Sequence, residues 1–213
     1  MELTYLGHAC FKLTSWDGTS VLIDPYTPGG NVRHRPIPDV VNAVAISHSH
    51  PGHSGVRSLR GNPRIVQQSG YEGTIALTAI PTFHDTKLGR KWGPNTAWRV
   101  TIDEVSVVHL GDIGHMPSSE QLVEMVPADV LLCPVGGVHS LDHEQATTIV
   151  GIINPLVVIP MHYWTPLIGR NIDRLERFLA GRPDIVPFEG STVTITPDSL
   201  PGNQPTWVLR PLY

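Results

Sequence analysis

Ser47-His48-Ser49-His50-Pro51-Gly52-His53-Ser54 follows directly on the apolar run Val40-Val41-Asn42-Ala43-Val44-Ala45-Ile46 and places three imidazoles within six residues. A buried strand that ends in such a turn delivers several neutral nitrogen donors to one point. Divalent metals, zinc above all, favour that arrangement. A polar surface loop that happens to hold three histidines is the plainer reading. The two readings differ in what they ask of the rest of the chain, because a metal centre needs further ligands at other strand ends.

Those ligands are available. His84 follows Ile80-Pro81-Thr82-Phe83; Asp112 closes His109-Leu110-Gly111-Asp112 after Val105-Ser106-Val107-Val108; His162 sits in Pro160-Met161-His162-Tyr163 after Leu156–Ile159. A hydrogen-bonded structural role explains any one of them as well as ligation does. Four strand ends that all carry a metal-compatible residue argue for one centre.

Composition sets the frame. The 213 residues fit one α/β domain over 1–213, with no linker long or polar enough to divide them. A chain of this size buries about 70–75% of its unfolded surface, so its core needs no cross-link. The formal charge of −4 argues against a broad nucleic-acid-binding face. Cys10 and Cys133 lie in apolar segments, where cysteine behaves as a small hydrophobe. Met1-Glu2-Leu3-Thr4-Tyr5 shows no signal-peptide pattern, and no apolar run approaches the ~20 residues of a membrane span, so the expectation is a cytoplasmic protein without a membrane partner.

Along the chain, Leu3–Leu6, Ala9–Leu13 and Ser20–Ile23 read as strands, the last two joined by an Asp17-Gly18 hairpin turn. Residues 25–38 form a proline-rich loop long enough to act as a lid, with Arg33, His34 and Arg35 in it. Further strands are expected at Arg64–Gln68, Thr74–Ile80, Ala97–Ile102, Val105–Leu110, Asp129–Cys133 and Leu156–Pro160. Ser118 with Gln121, and Asp142 with Gln145, carry the spacing of helix capping boxes. Asn171 is expected to open a third helix, with Ile172, Leu175 and Leu179 inward and Gly181 as its stop.

In this order the motifs resemble those of the metallo-β-lactamase fold superfamily, in the branch of small metal-dependent hydrolases related to L-ascorbate-6-phosphate lactonase. Leu6-Gly7-His8 with Leu22-Ile23-Asp24-Pro25 is similar to the branch's opening, and Ser47–His53 to its H-x-H-x-D-H motif. His84, Gly111-Asp112, Pro134-Val135-Gly136-Gly137 and Pro160–Tyr163 follow in the same order. The resemblance implies a four-layer αββα sandwich, two mixed β-sheets flanked by helices, with metals at one sheet edge. It assigns His48, His50 and His84 to a first metal, His53 and His162 to a second, and Asp112 to both. Zinc suits so histidine-rich a set, as do nickel and iron, and manganese is a further candidate. The implied chemistry is hydrolysis of an ester, lactone, amide or phosphodiester bond of a small, anionic metabolite. A metal acidifies water from a pKa of 15.7 toward about 7 and polarises the substrate oxygen.

One position departs from the motif. Its aspartate is Gly52 here, which offers neither ligand nor charge. The expectation is therefore one tight metal site and a second that is weak or absent. His115, three residues after Asp112, is a candidate catalytic residue beside Asp112, as proton shuttle or substrate contact. His8 and Asn95 are candidates for substrate binding, with structural hydrogen bonding as the alternative for each. His109 is expected in the core and His139 and His143 at the surface; His34 is unassigned.

No G-x-S-x-G elbow, Walker A loop or dinucleotide fingerprint is present. The readings that compete with a small-metabolite hydrolase are a phosphodiesterase or nuclease, with Lys87, Arg90 and Lys91 on the phosphate, and a binding module whose catalysis Gly52 has weakened. The partner is a small molecule in the first reading, and the oligomeric state, a homo-oligomer included, is left open.

Overall fold

The computed structural model describes residues 1–169 and 171–212. Two mixed sheets lie back to back. The first collects β1 (Glu2–Gly7), β2 (Cys10–Thr14), β3 (Ser20–Ile23), β4 (Ala43–Ala45) and β5 (Arg64–Val66). The second contains β6 (Gly70–Glu72), β7 (Ile75–Phe83), β8 (Pro94–Ile102), β9 (Val105–His109), β10 (Val130–Pro134) and β11 (Val157–Met161). Helices α1 (Ser119–Met125), α2 (His143–Ile153) and α3 (Leu175–Leu179) interleave with its later strands. Three short strands complete the sheets: β12 (Ile185–Pro187), β13 (Thr192–Thr194) and β14 (Thr206–Val208). The orders are β13-β1-β2-β3-β4-β5 and β12-β14-β11-β10-β9-β8-β7-β6.

Strand periodicity explains the layers. Along β9, Val107 joins the core between the sheets while its neighbour Val108 joins the core under the helices. Both faces of that strand are buried, which is why it reads as a continuous apolar run. The inter-sheet core gathers Leu3, Tyr5, Phe11 and Ile23 from one side and Trp98, Val100, Leu132 and Ile159 from the other. On the outer face of the second sheet, Leu131 and Val158 meet Met125, Ile149, Val150 and Phe178 from the helices.

The outer face of the first sheet is covered differently. Leu6, Leu22 and Val44 pack against Tyr26, Val32 and Ile37 of the long loop, against Val41 beyond it and against Ile168 and Ile172. The fourth layer of the sandwich is thus largely irregular chain anchored by apolar side chains.

The capping boxes form as read: Gln121 N–H reaches Ser118 Oγ at 3.3 Å, and Gln145 N–H reaches Asp142 Oδ1 at 2.9 Å. The third helix is a correction. It begins at Leu175 with Arg174 as its N-cap, not at Asn171. The backbone ahead of it pairs elsewhere, since Asp173 N–H donates to Gly136 O and Asp173 O accepts from Trp164 N–H. Those bonds tie Asp173 to neighbouring segments, Arg174 is extended, and the helix starts one turn later.

Candidate metal centre

Strand direction decides where the site lies. β1 and β3 run antiparallel to β2, and β4 runs parallel to β3, so their C-terminal ends share one edge. In the second sheet β7 and β9 both run antiparallel to β8, and β10 and β11 run parallel to β9. The residues that follow β1, β3, β4, β7, β9 and β11 are His8, Asp24, the 47–53 turn, the His84 loop, Asp112 and His162. One edge of the sandwich collects them all.

Asp112 sits at the middle, buried, with Oδ2 3.2 Å from His162 Nε2, 3.3 Å from His53 Nε2, 3.4 Å from His84 Nε2 and 3.8 Å from His48 Nε2. Potential ligand atoms of His48, His50 and His84 lie within 4.8 Å of one another, as do those of His8, His53 and His162, and those of Asp24, His48 and His53. Neither ring nitrogen of His84 has a hydrogen-bond partner among the described residues, and His48 Nε2 and Asp112 Oδ1 lack one too. Buried polar atoms are ordinarily paired, so these orphans fit a bound cation. His48, His50, His84, His53, His162 and Asp112 are brought together as the resemblance implied.

Burial and the two carboxylates set the charges at the site. Burial, reinforced by His53, lowers His48 to about 2 and keeps it a neutral donor. Burial, His162 and His53 likewise hold His8 well below its usual value. Burial opposes a charge on His53, yet the carboxylates of Asp112 and Asp24 on either side push its pKa up to about 10. Asp112 pays for its burial but stays well below the ordinary carboxylate range because His162 and His53 face it.

Asp24 is the residue that sequence reasoning underrated. It is fully buried at a left-handed φ of 49° and accepts from Ser47 N–H at 2.6 Å and from the Ser47 hydroxyl. Its Oδ2 also holds Nδ1 of His53 at 2.8 Å, which turns Nε2 of that ring toward Asp112. A carboxylate behind a histidine fixes its tautomer and orientation. The signal was present in Ile23-Asp24-Pro25, a strand end like the others.

Two candidates change role. Asn95 is buried, and its amide donates to Thr82 Oγ1 and Leu110 O while its carbonyl accepts from Asp112 N–H at 3.0 Å. It positions Asp112, and its amide group is committed to protein acceptors. His115 does not aim at the cluster: Nδ1 lies 2.8 Å from Met116 O, and Nε2 accepts from Phe83 N–H at 3.1 Å. With both nitrogens on backbone it braces the loop that follows Asp112. His109 is a core residue, its Nδ1 accepting from Gly111 N–H and its Nε2 donating to Ala9 O. Gly111 itself is required, because its φ is 58° and a Cβ there would lie 2.4 Å from Asn95 Oδ1.

A cavity of about 360 Å³ opens on the centre, lined by His8, His50, His53 and Asp112 and by the 27–32 segment of the long loop. The loop thus serves both as the outer layer of the first sheet and as one wall of the site. Arg33 and Arg35 are exposed and do not line it, whereas His34 turns inward.

Residues 2–162 match the model of the beta-lactamase superfamily domain. A metal-dependent hydrolase of Methanoculleus marisnigri is 30% identical over 205 residues, covering 83% of this chain and 88% of that protein. One from Methanoregula boonei is 32% identical, covering 78% and 83%. Among solved structures, a Thermotoga maritima protein provisionally described as a Zn-dependent hydrolase of the metallo-beta-lactamase superfamily shares 28% identity. It superposes with a TM-score of 0.79 over 98% of this chain and 97% of that one.

Proposed function

The chain belongs to the metallo-β-lactamase superfamily, and from that membership we propose that it is a metal-dependent hydrolase of a small-molecule substrate. The observation that carries the reading is Asp112 Oδ2, held within 3.2–3.4 Å of three histidine Nε2 atoms in a buried pocket. His48, His50 and His84 would hold one ion with Asp112, and His53 and His162 would face a second across the same carboxylate. When bound, the metal supplies a Lewis acid that acidifies water and polarises a carbonyl or phosphoryl oxygen. Zinc is the ion this imidazole-rich set fits best.

The chain's own residues do the remaining work. Asp24 fixes the His53 ring and Asn95 fixes the Asp112 backbone, so the donors need no rearrangement to converge. The 27–32 segment and Pro51 narrow access to the cavity and limit the water around a bound substrate. The substrate's scissile bond is an ester, lactone or amide in the favoured reading. No helix among the described residues is long and apolar enough to cross a membrane.

A second reading, phosphodiester hydrolysis, draws on Lys87 and Lys91, which line a separate hollow together with His84. Chromogenic esters, lactones and bis-phosphodiesters, assayed with chelator-stripped protein before and after zinc, manganese or nickel, separate the two. Metal-restored turnover of carboxylic esters or lactones is expected. Turnover of phosphodiesters alone would install the second reading. If no metal binds and no substrate turns over, the chain is not a metal-dependent hydrolase.

A further inference from the structure

We propose that His8 is a ligand of the second metal, standing where the motif carboxylate would lie had position 52 carried one. The inference rests on the metal-centre reading above. It changes the count on which a weak second site was expected, since that count held only His53, His162 and the shared Asp112.

Gly52 is the first ground. Its φ lies outside the left-handed region, so the backbone there does not demand glycine. Space does. A Cβ on Gly52 would lie 2.9 Å from Nε2 and 3.3 Å from Cδ2 of His8, so the edge of that ring stands where any side chain at 52 would begin. A carboxylate at 52 would press on the His8 ring, and its absence leaves that ring the room it occupies.

The second ground is the aim of His8. It is buried, its Nδ1 has no hydrogen-bond partner among the described residues, and a potential ligand atom lies within 4.8 Å of those of His53 and His162. Main-chain geometry turns the ring into the site. His8 has a φ of 57°, and its carbonyl accepts from Tyr5 Oη at 3.1 Å and His162 N–H at 2.9 Å. Holding a non-glycine residue in this region costs on the order of 1 kcal/mol, and such strain clusters at functional sites. The ring also lines the cavity, so a ligand there meets the substrate's path.

With His8 the second set becomes three imidazoles and one shared carboxylate, enough for four-coordinate zinc. Exchanging a carboxylate for a neutral nitrogen also moves preference toward zinc, nickel and cobalt and away from manganese and magnesium.

The test is metal stoichiometry and affinity, read by elemental analysis and zinc titration of the full chain. The variants are His8→Asn, which keeps a residue tolerant of left-handed backbone, and His8→Asn/Gly52→Asp. The unmodified chain should hold two zinc equivalents. His8→Asn should hold one, its second site weakened more than about 100-fold, since even outer contacts are worth 10–100-fold. The double variant should regain the second equivalent, and Gly52→Asp alone should not improve on the unmodified chain. Two tight equivalents in His8→Asn, or a single equivalent in both it and the unmodified chain, would overturn the role of His8 and leave the first site standing. No zinc in any of them would overturn the metal centre itself. Should His8→Asn fail to fold, anomalous scattering from zinc-soaked crystals of the unmodified chain decides: a second peak within about 2.0–2.2 Å of a His8 ring nitrogen is expected, and a peak beyond 3 Å, or none, refutes it.

Discussion

Oδ2 of Asp24 lies 2.8 Å from Nδ1 of His53, and the far nitrogen of that ring faces Asp112 at 3.3 Å. Asp24→Asn keeps an oxygen for Ser47 but places an amide N–H against the His53 N–H. The expected result is a 10–100-fold loss of zinc affinity, concentrated in the ion facing His53 and His162. A purely structural role would lower the melting temperature without splitting the two affinities, so titration alongside melting tells them apart.

Metal removal should be visible in stability. Zinc that binds only the folded chain at 100 times its dissociation constant stabilises by about 2.7 kcal/mol. For a chain of this length that is about 5–10 °C of melting temperature. Chelator-stripped and zinc-reloaded samples should differ by that amount, and identical melting curves would contradict a metal tied to the native state.

Asn95→Ala should damage the centre without touching a ligand. It strands Asp112 N–H in a buried site, at about 1–3 kcal/mol for an unsatisfied group. Both stability and zinc affinity should fall. A variant that keeps full affinity would show that Asp112 holds its place unaided.

Trp98 is 1% exposed between the sheets, and its indole N–H donates to Ile46 O, just ahead of the histidine turn. Trp98→Ala should cost about 3–5 kcal/mol in chemical denaturation. A loss under 1 kcal/mol would mean the core collapses around the gap.

Asp103 accepts from Ser15 Oγ at 2.7 Å and Trp16 N–H at 3.0 Å and pairs with the Met1 ammonium at 3.1 Å. Burial opposes its charge, but these donors win and hold its pKa below the usual 3.8. A carboxylate lowered in the folded state stabilises above its unfolded pKa, and that contribution is lost as pH falls through the folded value. Asp103→Asn should therefore melt below the parent at pH 6–7, and the gap should close below pH ~4. A gap that widens on acidification would reverse the sign and refute the assignment.

The amino-acid sequence alone determined the features written in short-range chemistry. Apolar runs fixed the long strands, Ser118 and Asp142 fixed two helix starts, and the order of His48, His50, His84, Asp112 and His162 fixed the ligand candidates. Tertiary structure decided the rest, because it depends on partners distant in sequence. β12, β13 and β14 are three residues each, too short for periodicity, and exist because β1, β11 and one another supply their ladders. The third helix starts late because Gly136 and Trp164 take the backbone ahead of it. His115 was a candidate catalytic residue and Asn95 a candidate for substrate binding or structural bonding, and only the fold shows the segments to which each bonds. Gly52 shows the limit most clearly: its missing carboxylate is legible in the motif, but only the fold reveals that the ring of His8, forty-four positions earlier, stands in the space it leaves.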